Sequence, residues 1–270
     1  IVKFNLGVAG AAEATVISQY VSGMGITIYA LLKSTHFRIK LKHLKFDMNI
    51  VKELANLSIL TALQQSVMNF GILLVQGLVN SFGTVVMAAF AAAVKIDTLA
   101  YSPVQDFGNA VSTFVAQNYG AGKHRRIKDG WKQSMIAASV FCVCVSAVVF
   151  IFAEKFMGLF VFDGTEIIKV GAGYLRIEGS FYIGIGILFL LYGFYRAVGK
   201  PEMSLILTII SLGTRVVLAY ALSAISKIGV IGIWISVPIG WALADMTGLL
   251  YMKKLPLLKS RFRKKYDLHI

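Results

Sequence analysis

The sequence predicts an all-α protein, a polytopic membrane helical bundle with about seven transmembrane helices. Of its 270 residues, 57% are hydrophobic and only 15% are charged, which is more apolar surface than one soluble core encloses. The cations also occur in short groups between apolar runs. A nucleic-acid-binding protein with a net charge of +14 would collect its cations on one solvated face. We therefore expect the lipid bilayer, and no nucleic acid, as a partner.

Seven apolar stretches are long enough to cross a membrane. A helix needs about 20 apolar residues to span the hydrocarbon core, because lipid offers backbone groups no hydrogen-bond partners. Pro103 predicts a kink or a tilt in the third stretch, which is too long for one perpendicular crossing, and Pro238 predicts the same in the last. The stretches are approximately 7–32, 54–79, 84–117, 132–153, 170–195, 203–225 and 229–252.

Lysine and arginine alternate between the gaps that separate these stretches. Twenty of the 27 lie in the gap 33–53, in the gap after Gln117, after the fifth stretch and in the C-terminal tail. Because cytoplasmic loops carry the excess of cations, we expect the first helix to run inward and the C-terminus to be cytoplasmic. The run FVAQNYGAGKHRR at 114–126 then marks the inner end of the third stretch. Its glycine spacing excludes a nucleotide phosphate loop.

A short internal sequence repeat indicates two lobes. Residues 7–17 read GVAGAAEATVI and residues 229–239 read GVIGIWISVPI, and each GVxG opens a helix entering from outside. The copies are separated by enough chain for six helices. Such repeats are common in transporters, which bind substrate near the repeat interface, although a Gly-rich membrane chain also produces the pattern by chance.

The internal repeat suggests a division of the chain into four parts. Residues 1–32 form the last helix of an N-terminal lobe, and 33–53 form a cytoplasmic linker between lobes. Residues 54–253 form a six-helix C-terminal lobe, and 254–270 form a basic cytoplasmic tail.

Several segments resemble one transporter family. The run NSFGTVVMAAFAAAVKIDTLAYSPVQDFGNAVSTFVAQNYGAGK at 80–123 resembles the seventh and eighth helices of multidrug and toxic compound extrusion (MATE) transporters of the DinF-like prokaryotic branch. Further matches, in the same order as in the family, are GVAGAAEATVISQ at 7–19, FYRAVGKPEMS at 194–204, TRVVLAY at 214–220 and GIWISVPIGWALAD at 232–245.

The resemblance implies a fold and an activity. The fold would have twelve helices in two six-helix lobes, with about five helices preceding this chain. The activity would be export of amphipathic, often cationic, compounds in exchange for Na⁺ or H⁺, with no other cofactor. We expect a monomer in the bacterial plasma membrane.

The same resemblance suggests where the coupling ion binds. Thr15 resembles the threonine that in some relatives lies beside the aspartate and asparagine of an N-lobe cation site, whose other members would precede this chain. Another branch has a C-lobe glutamate in the helix matching 54–79 and an aspartate in the one matching 170–195. Here the first helix has Gln64, Gln65 and Asn69 instead, and the second is apolar over 183–191. Coupling in the N-lobe is therefore the expectation.

Among the residues within the spans, Asp106 is the leading candidate for binding a substrate or the coupling proton. It lies 12 residues from Asn118, which is about 18 Å along a helix axis and near the middle of the bilayer. A carboxylate there can hold a cationic compound or the coupling proton, and Asn109, which follows it on the same helix, is predicted to contact the same substrate. The alternative is a hydrogen-bonded residue that braces the kink at Pro103.

Three amides of the second stretch form the other part of the predicted binding site. Gln65 and Asn69 are four residues apart and share one helix stripe, whereas Gln64 lies about 100° around the helix. Uncharged amides suit a chamber that accepts varied compounds, and they suit helix packing equally well.

For the remaining charged residues of the spans, we favour a structural role. Lys95 and Asp97 are near the outer end of their helix and can lean toward headgroups or toward each other. Arg176, Glu178 and Arg215 are interpreted as members of ion pairs that pack helices together. Asp245, near the inner end of the last helix, is also interpreted as a structural residue.

Two other functions are alternatives to drug efflux. A membrane enzyme would need clustered catalytic motifs, such as paired Asp-rich motifs or HExxH, and the sequence has none; we therefore predict no enzyme activity. A flippase for lipid-linked precursors or polysaccharides of the same superfamily is the closer alternative. It would require several cations facing its cavity to bind pyrophosphate, whereas most cations here lie at the cytoplasmic rim.

Overall fold

A computed structural model describes residues 7–33, 47–161 and 164–255. Those residues form eight α-helices and no strand. Most of the predicted linker 33–53 and nearly all of the tail 254–270 lie outside the described residues. The helices are α1 (Gly7–Lys33), α2 (Met48–Asn80), α3 (Thr84–Gly120), α4 (His124–Phe160), α5 (Thr165–Gly179), α6 (Tyr182–Ala197), α7 (Pro201–Ser223) and α8 (Val230–Lys254).

The helices agree with the predicted membrane spans. Among the described residues, six helices are long and apolar enough to cross a bilayer, and α5 and α6 together form a seventh span that is bent by 53°. The predicted fold class, an all-α polytopic bundle, is confirmed. The bend is a feature that the sequence analysis did not anticipate, since it treated 170–195 as one continuous helix.

The contacts divide the chain into two compact units, Ile1–Leu54 and Ala55–Ile270. The first unit contains α1 and the first turns of α2, and the exposed side chains of α1 are largely apolar. The second unit contains the rest of α2 and all of α3 to α8. The assignment of these parts to two lobes of a longer protein stays a prediction.

Glycine ends two of the helices, at ends that the predicted orientation places on the cytoplasmic side. After α3, Gly122 has a φ of 69°, and the N–H of Lys123 donates to the carbonyl of Asn118 at 2.8 Å. After α6, Gly199 has a φ of 71°, and the N–H of Lys200 donates to the carbonyl of Tyr195 at 2.9 Å. A left-handed glycine with this bond closes a helix without strain. The Gly-rich run after α3 is therefore a helix stop.

The second unit has two apolar clusters. One joins the C-terminal halves of α3, α6 and α8 to the N-terminal halves of α4 and α7 around Leu191 and Phe194. The other lies around Phe90 and Trp234 and has members on every helix from α2 to α8. Helices α3 and α6 approach closely between them, because Gly108 has no side chain: a Cβ there would lie 2.6 Å from the backbone oxygen of Phe189. Small residues allow such close crossings of membrane helices.

Candidate functional site

One face of α3 carries a continuous polar stripe that the described bundle leaves uncovered. At 100° per residue, its seven members fall within about 120° of the helix circumference. The buried residues of α3 lie on the opposite face. The stripe consists of Thr98, Ser102, Gln105, Asp106, Asn109, Thr113 and Gln117, of which Ser102 is half-buried and the others are exposed.

Asp106 and Asn109 lie in the middle of this polar stripe. The carboxyl of Asp106 makes no hydrogen bond or ion pair with any described residue, so the structure has no bond of the kind a brace at Pro103 requires. Pro103 itself lies inside the continuous helix α3. The hydroxyl of Thr113 donates to the backbone carbonyl of Asn109 at 3.2 Å, and Asn109 itself is exposed.

The other predicted site residues lie on α2 and α1. Gln65 and Asn69 are exposed on one stripe of α2, and Gln64 is half-buried. The same stripe continues to Gln76, whose side-chain amide donates to the side chain of Asn80 at 2.9 Å. Thr15 lies on α1, in the other unit, and its carbonyl accepts a bond from the hydroxyl of Ser18 at 2.9 Å. The binding roles of all these residues stay predictions.

The opposite face of α3 buries a second aspartate. Asp97 is only 2% exposed. Its Oδ2 accepts a hydrogen bond from the Tyr174 hydroxyl of α5 at 2.8 Å, and its Oδ1 accepts one from the Tyr182 hydroxyl of α6. Both carboxylate oxygens therefore have a donor. The predicted partners of Asp97, headgroups or Lys95, were wrong, because Asp97 is buried against the two tyrosines and Lys95 is exposed on another side of the helix.

Glu178 and Arg215 complete this buried group. Glu178 is 3% exposed, and its carboxyl lies beside that of Asp97 and within Coulombic range of Arg215. The Glu178 Oε2 and the Arg215 Nε are both buried with no hydrogen-bond partner. Arg215 forms no ion pair with either carboxyl among the described residues. We call these five residues, Asp97, Tyr174, Glu178, Tyr182 and Arg215, the acidic cluster.

The acidic cluster lies at the break in the bent span. Glu178 is in the last turn of α5 and Tyr182 is the first residue of α6. Between them, the N–H of Phe181 donates to the carbonyl of Glu178 at 3.0 Å and the hydroxyl of Ser180 donates to that of Arg176 at 2.6 Å. These bonds satisfy backbone carbonyls that the interrupted helix leaves free.

Aromatic rings pack against the acidic cluster on the side toward the N-terminal end of α3, which we call its outer side. Phe90 stacks on Trp234 with ring centroids 5.4 Å apart, and Tyr174 meets Trp234 edge to face at 4.9 Å. Phe90 and Tyr174 also meet edge to face at 5.4 Å. The Tyr174 hydroxyl thus points from an apolar layer to Asp97. The polar groups lie in a site with low local polarity, where electrostatic interactions are strong.

Arg176 forms an ion pair with an unexpected partner. Its Nη2 lies 3.0 Å from Oε1 of Glu154 on α4, with both side chains largely exposed. The prediction that Arg176 belongs to an ion pair is confirmed. The same expectation is wrong for Glu178 and Arg215, which form no ion pair among the described residues.

Asp245 of α8 is a further buried acid. It is 7% exposed, and its Oδ1 has no hydrogen-bond partner. Its Oδ2 lies beside Gly184 of α6, where a Cβ would be 3.8 Å from it. Gly184 lies two residues beyond Tyr182, so this second carboxyl faces the same end of α6 as the acidic cluster.

One sequence signal could have located the acidic cluster. Tyr174, Glu178 and Tyr182 recur every four residues, which predicts a stripe of polar ends on one face of a nearly continuous apolar helix. Charged residues in membrane helices turn toward partners and not toward lipid. Their partners Asp97 and Arg215 are distant in sequence, and only the packing of α3, α5 and α7 brings them together.

These features define a class of protein. The bundle has apolar spans of membrane length, one broken span with buried ionisable groups at the break, and an uncovered polar stripe at membrane depth. Multi-span membrane transporters have this combination, because their sites are built at interrupted helices and in polar cavities.

The chain belongs to the MATE family. The family model described as MatE matches residues 59–221, which is more than half of the chain. The family is one of transporters, not of enzymes.

Known relatives support the same assignment. The chain is 26% identical over 261 residues to the "Probable multidrug resistance protein NorM" of Thermotoga maritima, covering 96% of this chain and 55% of that protein. It is 25% identical to the "Multidrug export protein MepA" of Staphylococcus aureus, covering 92% of this chain and 54% of the relative. The chain thus spans about half the length of the relatives it matches.

Solved structures have the same fold. One is described as the outward-facing conformation of a multidrug resistance MATE family transporter; it aligns with a TM-score of 0.86 at 24% identity, over 94% of this chain and 57% of that one. A MOP superfamily transporter from Pyrococcus furiosus aligns with the same score, identity and coverage.

Proposed function

We propose that the full-length protein exports amphipathic or cationic compounds from bacterial cells in exchange for Na⁺ or H⁺. It would work by alternating access, in which two lobes rock about a central chamber and the bound ion favours one state over the other. The membrane would be the plasma membrane, with the C-terminus in the cytoplasm. Membership of a transporter family and the printed names of the relatives, which refer to drug resistance and export, support this proposal and do not favour a flippase.

The observation that carries the proposal is the polar stripe of α3. A helix face in contact with lipid is apolar, because hydrocarbon gives polar groups no partners. A stripe that contains one carboxylate and several amides and hydroxyls at membrane depth instead suits a water-filled chamber. Asp106 would attract a cationic compound there, and Asn109, Gln65 and Asn69 would offer hydrogen bonds without a fixed charge. Gln64 would contribute at the edge of the same surface.

Ion coupling would involve Thr15 of α1 and Asp106 of α3. Thr15 would take part in an N-lobe cation site whose other members lie outside this sequence. Asp106 would carry the coupling proton when no compound is bound.

The test is Asp106→Asn in the full-length protein, with ethidium efflux from energised cells as the readout. We expect efflux and drug resistance to fall strongly, because the amide keeps the shape of the side chain but lacks the charge that attracts a cation. Glu154→Gln is the matched control, since Glu154 is an exposed carboxylate paired with Arg176 on the bundle surface. Efflux by Asp106→Asn at the wild-type level, with equal amounts of protein in the membrane, would exclude a role for Asp106.

A further inference from the structure

We infer that Glu178 is a proton-binding residue at the break between α5 and α6, held in place by the rest of the acidic cluster. This inference deepens the proposed antiport function and rests on it for its role in coupling. The binding of the proton itself is measurable without transport.

The first argument is the charge of the acidic cluster. Asp97 and Glu178 together carry two negative charges when ionised, and Arg215 supplies one positive charge. The surrounding elements do not correct the imbalance. Lys95 of α3 is exposed, and Arg176 of α5 binds Glu154 of α4. The Tyr101 phenol of α3 carries no positive charge, and the Asp245 carboxyl of α8, at the same end of α6, can only add negative charge. One excess negative charge in a buried site is costly, and one proton removes it.

The second argument is which carboxyl takes the proton. Both oxygens of Asp97 accept hydrogen bonds from tyrosine hydroxyls, an arrangement that stabilises a carboxylate. Glu178 has a buried Oε2 with no partner among the described residues. An ionised carboxylate with such an oxygen is poorly stabilised, whereas the neutral acid has an O–H that can donate to the neighbouring carboxylate of Asp97. Asp97 therefore stays ionised opposite Arg215, and Glu178 is the group that changes its charge.

The third argument distinguishes a proton from a metal cation. Hard cations such as Na⁺ need several oxygen ligands around them. The oxygens of Asp97 already accept bonds from Tyr174 and Tyr182, and the aromatic layer closes the outer side. The described residues contain no group of three or more acidic, histidine or cysteine side chains that could hold a metal. The site suits a proton.

The position of Glu178 gives the proton a mechanical effect. In one charge state, water delivers a proton that forms an O–H bond to the Glu178 carboxylate; in the other, the bond breaks and the proton returns to water. Protonation removes the repulsion between Glu178 and Asp97 and the attraction between Glu178 and Arg215. The end of α5 is therefore held to α3 and α7 differently in the two states. Because the span is already broken by 53° at this point, the change acts on its bend.

The experiment is infrared difference spectroscopy of the full-length protein in lipid, between a higher and a lower pH and without Na⁺. We expect a carbonyl band of a protonated, buried carboxyl to appear at lower pH and to shift in D₂O. Glu178→Gln should remove this band, Glu178→Asp should shift it, and the control Glu154→Gln should leave it unchanged. The Glu178→Asp variant keeps a carboxyl in the cluster and provides the assignment if the glutamine variant does not fold.

Three results would overturn the inference. One is the absence of any such band in the wild-type protein. Another is a band that persists unchanged in either Glu178 variant. The third is a carboxylate signal of Glu178 that responds to Na⁺ at constant pH and not to pH itself, which would make the site a sodium site.

Transport measurements test separately whether the proton on Glu178 is coupled to export. If the proton on Glu178 is coupled, Glu178→Gln should abolish the pH dependence of ethidium efflux, while Glu154→Gln retains it. A Glu178 band in a protein that exports no compound would leave the proton site standing and remove the proposed function. Active efflux by a protein that shows no Glu178 band would exclude the proton site and leave the proposed function standing.

Discussion

Two aspartates of the same helix have opposite surroundings. Asp97 and Asp106 are nine residues apart on α3, which places them about 180° apart around the helix. Asp97 is buried and accepts bonds from two tyrosines, whereas Asp106 is exposed within a polar stripe and has no bonded partner among the described residues. One face of α3 thus holds the bundle together and the other is available to a ligand. The same residue type thus has a packing role on one side of the helix, and on the other side we propose a binding role.

The largest effect on stability is expected from Asp97→Ala. This change leaves two buried tyrosine hydroxyls without an acceptor and leaves Arg215 with only Glu178 opposite it. A buried hydroxyl left without a partner costs about 1–3 kcal/mol, so the loss of both bonds should cost about 2–6 kcal/mol. The measurement is the thermal or denaturant unfolding of the full-length protein in detergent. A loss no greater than that caused by Asp106→Ala would show that the two faces of α3 do not differ.

The tyrosine hydroxyls should each have a smaller effect. Tyr174→Phe and Tyr182→Phe each remove one hydrogen bond to the carboxylate of Asp97, and a bond to a charged group contributes about 1.5–3 kcal/mol. Tyr220→Phe is the control, because Tyr220 is exposed on α7. Unfolding measurements on the three variants and on the double variant give the coupling between the two bonds. Equal stability of all three single variants would contradict the bonding of Asp97.

The close crossing of α3 and α6 tests the packed face in another way. Gly108→Ala places a Cβ about 2.6 Å from the backbone oxygen of Phe189, so one helix must move, at a cost of about 1–3 kcal/mol. Gly213→Ala on α7 is the matched control, since nothing lies within 4 Å of its Cβ position. We expect the control to unfold at or slightly above the wild-type temperature. A Gly108→Ala protein as stable as this control would argue against the close approach.

The smallest effect on stability is expected on the exposed face. Asp106→Asn should change the free energy of unfolding by no more than about 0.5 kcal/mol, as is usual for exposed positions without partners. Its effect should appear in efflux instead. A large loss of stability would indicate a structural role at the Pro103 position.

Much of the fold could be predicted from the sequence. Apolar stretches of membrane length are a local property, and the helices and the bent pair correspond to the seven predicted spans. The helix stop at Gly122 was also predictable, because a glycine followed by cations ends a span at the cytoplasmic face.

The break and the acidic cluster could not be predicted in the same way. Residues 179–182 read GSFY. A Gly–Ser pair is one of the places where helices kink, but glycine is also tolerated within membrane helices, so the pair did not by itself predict the bend. Asp97, Glu178 and Arg215 come from three helices, and their proximity depends on helix packing. Sequence reasoning preferred Asp106 because it lies at mid-membrane, but depth does not tell which face of a helix is covered.

The most direct test of the central claim is cysteine accessibility along α3 in the membrane-embedded, full-length protein. Single cysteines at Asp106 and Asn109, and at the buried Val104 and Val111, would be introduced after replacement of Cys142 and Cys144. A membrane-impermeant thiol reagent needs water to react. We predict labelling at Asp106→Cys and Asn109→Cys and none at Val104→Cys or Val111→Cys. If the first two positions are as unreactive as the buried pair, the polar stripe does not line a water-filled chamber.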